Sequence, residues 1–179
     1  MFFNKIKNFF AEKSIRKVLT VQKRESYYPD FKSIKSILIL FKSEDNEKNP
    51  QIRKIIASLK EEGKKVTVWG FVDKKEIETA VLPEFRLFCA SELNWYKIPK
   101  AALVNEFLTT SYDMVIQIIN TDVYSLDYLL AQAEAPFKVS RMKPYKGIAD
   151  FMIHMNESEN ELFLYEQIMH YLKSIQAKL

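Results

Sequence analysis

The chain has 179 residues, 27 Lys and Arg against 23 Asp and Glu, 47% hydrophobic and 28% charged residues, and a formal net charge of +4. That length suits one domain, or one domain with an arm, and the apolar content excludes disorder as the main state. The single Cys89 excludes a disulfide scaffold, no apolar run reaches the roughly 18 residues that span a bilayer, and three glycines with two histidines leave little for a glycine-rich phosphate cradle or a histidine-based metal centre.

In chain order, residues 1–30 read as a basic amphipathic arm and residues 31–179 as a single α/β domain. The first 24 residues carry Lys5, Lys7, Lys13, Arg16, Lys17, Lys23 and Arg24 against one acid, Glu12, a net +6, so the remainder is −2. At 100° per residue Phe2, Phe3, Ile6, Phe9 and Phe10 fall within an arc of about 120°. After Ala11 the phase breaks: Lys13 and Lys17 land on that arc, while Ile15, Val18 and Leu19 lie on the other side. The pattern predicts a bent arm or two short helices. Lysines interrupt any apolar signal region and no small-residue cleavage site follows, which argues against a secretory leader. Three readings stand open: the arm packs on its own domain or on a second copy, it lies on an anionic membrane surface, or it contacts nucleic acid. The paired phenylalanines favour apolar burial over a purely phosphate-seeking arm. The expected contact residues are Phe2, Phe3, Lys5, Ile6, Lys7, Phe9 and Phe10.

The body alternates strands and helices. Residues 36–41 include the unbroken apolar run Ile37 to Phe41, the pattern of a central strand buried on both faces. Asn49 is placed to cap a helix that has Pro50 in its first turn, Ile52, Ile55, Ile56 and Leu59 as its inward stripe, and Gly63 just past its end. Residues 65–72 read as a second strand. Asp73 is expected to cap a helical turn ended by Pro83, and residues 85–89 to form a third strand. Pro99 opens a helix with Leu103, Val104, Phe107 and Leu108 on one face. Residues 113–119 form a second central strand, and Thr121 or Asp122 caps the helix after it. Residues 136–140 and 151–155 read as a fifth and a sixth strand, and residues 158–177 as a last helix that buries Leu162, Tyr165, Ile168, Met169, Leu172 and Ile175. This alternation predicts a three-layer, doubly wound, mostly parallel sheet of Rossmann-like type. Right-handed crossovers give the order 3-2-1-4-5, with the switch point between strands one and four.

The run Tyr112-Asp113-Met114-Val115-Ile116-Gln117-Ile118-Ile119-Asn120, then a helix, then Ala135-Pro136-Phe137-Lys138-Val139-Ser140, resembles the N-terminal half of heptosyltransferase-type GT-B glycosyltransferases over residues 34–155. The resemblance implies a fold. The glycine-aspartate that follows the first strand in that family is replaced here by Lys42-Ser43-Glu44-Asp45, and the donor-binding C-terminal domain has no counterpart, so no transferase activity is carried over. The whole chain also resembles small uncharacterised proteins of about this length from Bacteroidetes, a domain of unknown function.

In an open α/β sheet, ligands bind outside the carboxyl ends of the strands. Lys42, Ser43, Asn120, Asp122 and Arg141 are the residues expected to line such a cleft, with Lys42 and Arg141 able to meet an anion beside a helix start. His154 reads as a structural or edge residue, His170 as a solvated one and Cys89 as a small buried thiol. Glu157 and Glu159 suit a helix start. Residues 94–97, Asn-Trp-Tyr-Lys, form an aromatic loop, exposed or packed on the core. No catalytic residue, metal or cofactor is assigned. The expectation is a cytoplasmic, non-catalytic binding or interaction protein, peripheral at the inner face of the membrane or bound to a protein partner or itself. The alternative is a small-ligand-binding protein or transferase-like enzyme that uses the cleft.

Overall fold

The computed structural model describes residues 2–43, 49–77, 85–156 and 159–174, with Phe2 described by its backbone alone. In it the two expected central strands lie side by side at the centre of the sheet. Strand β1 (Ser36–Ser43) pairs in parallel with β4 (Met114–Ile118), Ile37 opposite Met114 and Phe41 opposite Ile118. The other strands are β2 (Lys65–Val72), β3 (Phe85–Cys89), β5 (Phe137–Arg141) and β6 (Phe151–Ile153). All pairings are parallel and the order is β3-β2-β1-β4-β5-β6, the expected order with β6 added beyond β5.

The order places the helices α1 (Phe2–Val21), α2 (Pro50–Glu61), α3 (Ala101–Phe107), α4 (Tyr124–Gln132) and α5 (Glu161–Ser174). The step from β1 to β2 runs one way along the sheet and the step from β4 to β5 runs the other. Right-handed connections therefore put α2 and α4 on opposite faces. Side chains divide between the faces with the period of two that a strand imposes. Ile37, Ile39, Phe41, Met114 and Ile116 pack with α2 and α5. Leu38, Leu40, Trp69, Phe71 and Val115 pack with α1, α3 and α4. Gly70 lies where the first of these faces has no room: a Cβ there would collide with the Phe41 ring and would stand 2.6 Å from Leu87 Cδ2. Gly63, at φ +74°, terminates α2 as expected, its N–H donating to Lys60 O at 2.9 Å while the Lys64 N–H reaches Leu59 O at 3.0 Å.

Several local expectations are corrected. The arm is one continuous 20-residue helix and not two short ones. Both of its apolar faces find a surface without a break: Ala11 and Ile15 are fully buried in the core with α4, with Val18 and Leu19 packed beside them, and the earlier phenylalanines meet the loop at Trp95. Asn49 stands at the N-terminus of α2 without capping it, because its side-chain amide donates to Ser43 Oγ at 3.0 Å. Neither Thr121 nor Asp122 caps α4, which starts after Val123 with no side-chain cap, because the Asp122 carboxylate is engaged by cations from the chain after β5. Asp73 begins a bend and no helical turn, and Pro83 lies outside the described residues. Leu108 is exposed beyond the end of α3. In α5, Leu162 is only partly buried, and Glu157 and Ile175 lie outside the described residues.

The segment after α1 is fastened to the far side of the sheet. Gln22 Nε2 donates to the carbonyls of Gln132 and Ala133, both at 3.2 Å. Arg24 makes a two-pronged pair with Asp150, at 2.8 and 2.7 Å, and donates to the Ala135 and Pro136 carbonyls. Beneath it the fully buried Lys138 donates to Leu130 O at 2.8 Å and Ala131 O at 3.1 Å, at the C-terminal end of α4. Burial, then the nearby Arg24 charge, lowers the Lys138 pKa to about 7, against the opposing pull of Asp150.

Candidate functional site

A cleft of about 560 Å³ opens at the carboxyl ends of β1, β2, β3 and β4. It sits at the switch point, where the chain leaves β1 toward one side of the sheet and β4 toward the other. Lys42 comes from the end of β1, Phe71 and Asp73 from the end of β2, and Asp122, Tyr124 and Ser125 from the start of α4. One wall is the arm itself, through Lys7 and Asn8. Another is a tight turn that carries Asn94, Trp95 and Lys97. That turn is built by Asn94, whose Oδ1 accepts from the N–H groups of Tyr96 and Ile98 at 3.1 and 3.0 Å, and by Lys97 at φ +65°.

The charges are unequal. Lys7, Lys42 and Lys97 converge from three separate elements, while the acids are Asp73 and Asp122. Asp122 is already compensated, by Arg141 and by Lys143 at 3.2 Å. Desolvation is the largest single influence on its carboxyl and opposes ionisation, but the two cations outweigh it and hold its pKa below the ordinary value. Lys143 also reaches Asp127 at 2.8 Å. Asp127 is wholly buried and accepts from Gln117 Nε2 at 3.0 Å, and burial raises its pKa against the pull of Lys143 and Gln117. This polar network underlies the first turn of α4. Ser125, 1% exposed, has no hydrogen-bond partner for its hydroxyl among the described residues.

Beside the cleft lies a chain of exposed rings. Phe3 stacks on Trp95 with centroids 6.3 Å apart, Phe10 meets Trp95 edge-on at 5.5 Å, and Phe9 meets Phe10 at 5.7 Å. Phe3 and Phe9 are 61% and 62% exposed and Trp95 is 52% exposed. Lys7 lies over the Phe3 ring, 4.7 Å from its centroid, and Lys5 and Lys13 are exposed on the same helix. Among the described residues no helix is long and apolar enough to cross a membrane.

The cleft brings together two of the five residues expected there, Lys42 and Asp122. Arg141 stands behind Asp122 as its partner and does not line the cleft. Ser43 is buried and bonded to Asn49, and Asn120 is exposed outside the lining. Of the arm residues, Phe3, Lys5, Phe9 and Phe10 are exposed and Ile6 and Lys7 half-buried, while the Phe2 side chain lies outside the described residues. The sequence did flag the aromatic loop at Trp95, but Lys7 and Asn8 reach the cleft only through the docking of α1 on α4, for which no local signal exists, and Ser125 reaches it from the first turn of α4 itself. His154 and His170 are exposed, and Cys89 is buried with its Sγ 3.2 Å from Ser91 Oγ. Among the described residues no three His, Cys, Asp or Glu side chains gather as a metal-holding group.

Fold and site together define a doubly wound α/β domain whose N-terminal helix both packs on the sheet layer and walls the strand-end cleft. The chain belongs to a family of unknown function, DUF6913, whose model matches residues 7–175 and so takes in most of α1 together with the body. Neither the curated proteins nor the solved structures yield a significant match.

Proposed function

We propose that this is a non-catalytic binding protein that docks on an anionic membrane surface, at the inner face of the membrane, through the first ten residues of α1 and the turn at Trp95. The observation that carries the reading is the continuous cluster of Phe3, Phe9, Phe10 and Trp95, about half exposed and set among Lys5, Lys7, Lys13 and Lys97. An aromatic side chain presents about 200 Å², so four half-exposed rings offer roughly 400 Å², an upper bound of about 10 kcal/mol at 25 cal/mol per Å². Each lysine near an anionic surface adds on the order of 1 kcal/mol, and that part is screened by salt. We also propose an origin among the Bacteroidetes proteins and a body akin to the N-terminal half of GT-B enzymes, without transferase chemistry.

Cosedimentation with vesicles of phosphatidylglycerol and phosphatidylcholine tests the reading. The full chain binds the mixed vesicles and not pure phosphatidylcholine. Phe9→Ala weakens binding about tenfold at every salt concentration, since its exposed ring carries on the order of 1–2 kcal/mol. Lys5→Ala weakens it only at low salt. Failure to bind the anionic vesicles, or binding indifferent to Phe9→Ala, overturns the proposal and leaves a protein partner or a second copy as the occupant of the patch.

A further inference from the structure

The strand-end cleft shares Lys7, Trp95 and Lys97 with the membrane-docking face, but its interior has a chemistry of its own. Its volume of about 560 Å³ is that of a small-molecule site. Three features face one ligand class. First, Lys7, Lys42 and Lys97 supply a cationic excess, because Asp122 is neutralised from behind by Arg141 and Lys143. Second, the nine-residue helix α4 opens on the cleft without a side-chain cap, so its first N–H groups and the positive end of its dipole meet the cavity. Third, Ser125 in its first turn is buried and lines the cleft with a hydroxyl that has no partner among the described residues. A buried hydroxyl left unpaired is unfavourable unless something supplies the bond. Trp95 and Phe71 add flat apolar walls.

We infer that the cleft binds a small phosphate monoester carrying a planar ring. The phosphate sits at the start of α4, held by Lys42 and Lys97 with Ser125 beneath, and the ring lies against Trp95. The arm contributes Lys7 and Asn8, so the site is complete only when α1 is docked.

Isothermal titration calorimetry of the full chain, without lipid, tests this with phenyl phosphate, inorganic phosphate, benzoate and benzyl alcohol as separate probes. Phenyl phosphate is expected to bind at one site with a Kd of about 1 mM or tighter, at least about fivefold tighter than inorganic phosphate or benzoate, and benzyl alcohol not to bind. Lys42→Ala and Lys97→Asn each weaken phenyl phosphate about tenfold, as the loss of a charge-assisted contact does. Asparagine is chosen at Lys97 because it tolerates the positive φ there. Phe9→Ala, which disables vesicle binding in the membrane reading, leaves phenyl phosphate binding unchanged, so the two proposals fail separately. Circular dichroism verifies that each variant is folded. No saturable heat with phenyl phosphate, or equal affinity in Lys42→Ala and Lys97→Asn, overturns the site. Equal affinity for inorganic phosphate and phenyl phosphate overturns the ring-bearing ligand.

Discussion

Ile15→Ala separates the two roles of α1. Ile15 is fully buried in the core shared with α4, while Phe9, less than two turns earlier on the same helix, is 62% exposed. The substitution deletes three carbons. At about 0.8 kcal/mol per buried methylene this removes about 2.4 kcal/mol of transfer free energy. A cavity of about 80 Å³ at 24 cal/mol per Å³ would add up to about 2 kcal/mol, less whatever the outer-layer helix recovers by shifting inward. The expected loss is therefore about 2.5–4 kcal/mol, a large share of a typical domain stability of about 5–15 kcal/mol. Urea unfolding followed by circular dichroism should show the midpoint falling with the slope unchanged. Phe9→Ala should stay within about 0.5 kcal/mol of wild type, as surface changes do. A loss below about 1 kcal/mol for Ile15→Ala would refute the reasoning, because α1 would then be a bystander to the core and not one of its helices.

Two further expectations follow from backbone crowding and from burial of charge. Gly70→Ala should destabilise by roughly 1–3 kcal/mol in the same unfolding assay, because the added methyl meets the Phe41 ring and Leu87 in a filled face of the sheet; a neutral result would mean that the ring moves freely. Lys138 releases its proton near pH 7 in the native protein, whereas the unfolded chain holds it to about 10.5. Stability should thus rise with pH across that window, by up to about 1.4 kcal/mol per unit; measured between pH 7 and 9.5, this slope should be steep in the wild type and much reduced in Lys138→Met.

The centre of the fold was legible because a strand buried on both faces has no choice of composition. Ile37 to Phe41 is an unbroken apolar run and Met114 to Ile119 is apolar at every position but Gln117, and right-handed crossovers leave few orders in which to pair them. Gly63 was legible for a similar reason, since the turn after α2 requires a positive φ. Side chains with a choice of partners misled. Asn49 and Asp122 stand where caps stand, but each satisfies its polar atoms better elsewhere, one on Ser43 and the other on Arg141 and Lys143. The phase break after Ala11 was real, but it marks two surfaces met by one continuous helix. The wall of the cleft that the arm supplies was invisible for the same reason. Lys7 and Asn8 are ordinary polar residues of an amphipathic stripe until Ala11 and Ile15 fix where the stripe points.

The docking of α1 also sets a schedule for the growing chain. Gln22 finds the carbonyls of α4 across 110 residues. Translation at about 5–20 residues per second covers that distance in on the order of 10 s, and a contact so remote in sequence contributes nothing until the intervening strands have paired. Throughout that interval the inward stripe of Ala11, Ile15, Val18 and Leu19 is uncovered together with the phenylalanines. A nascent chain therefore presents a more adhesive helix than the finished protein does, and closure of α4 over that stripe converts a two-faced segment into one whose remaining apolar surface is the ring cluster at Trp95.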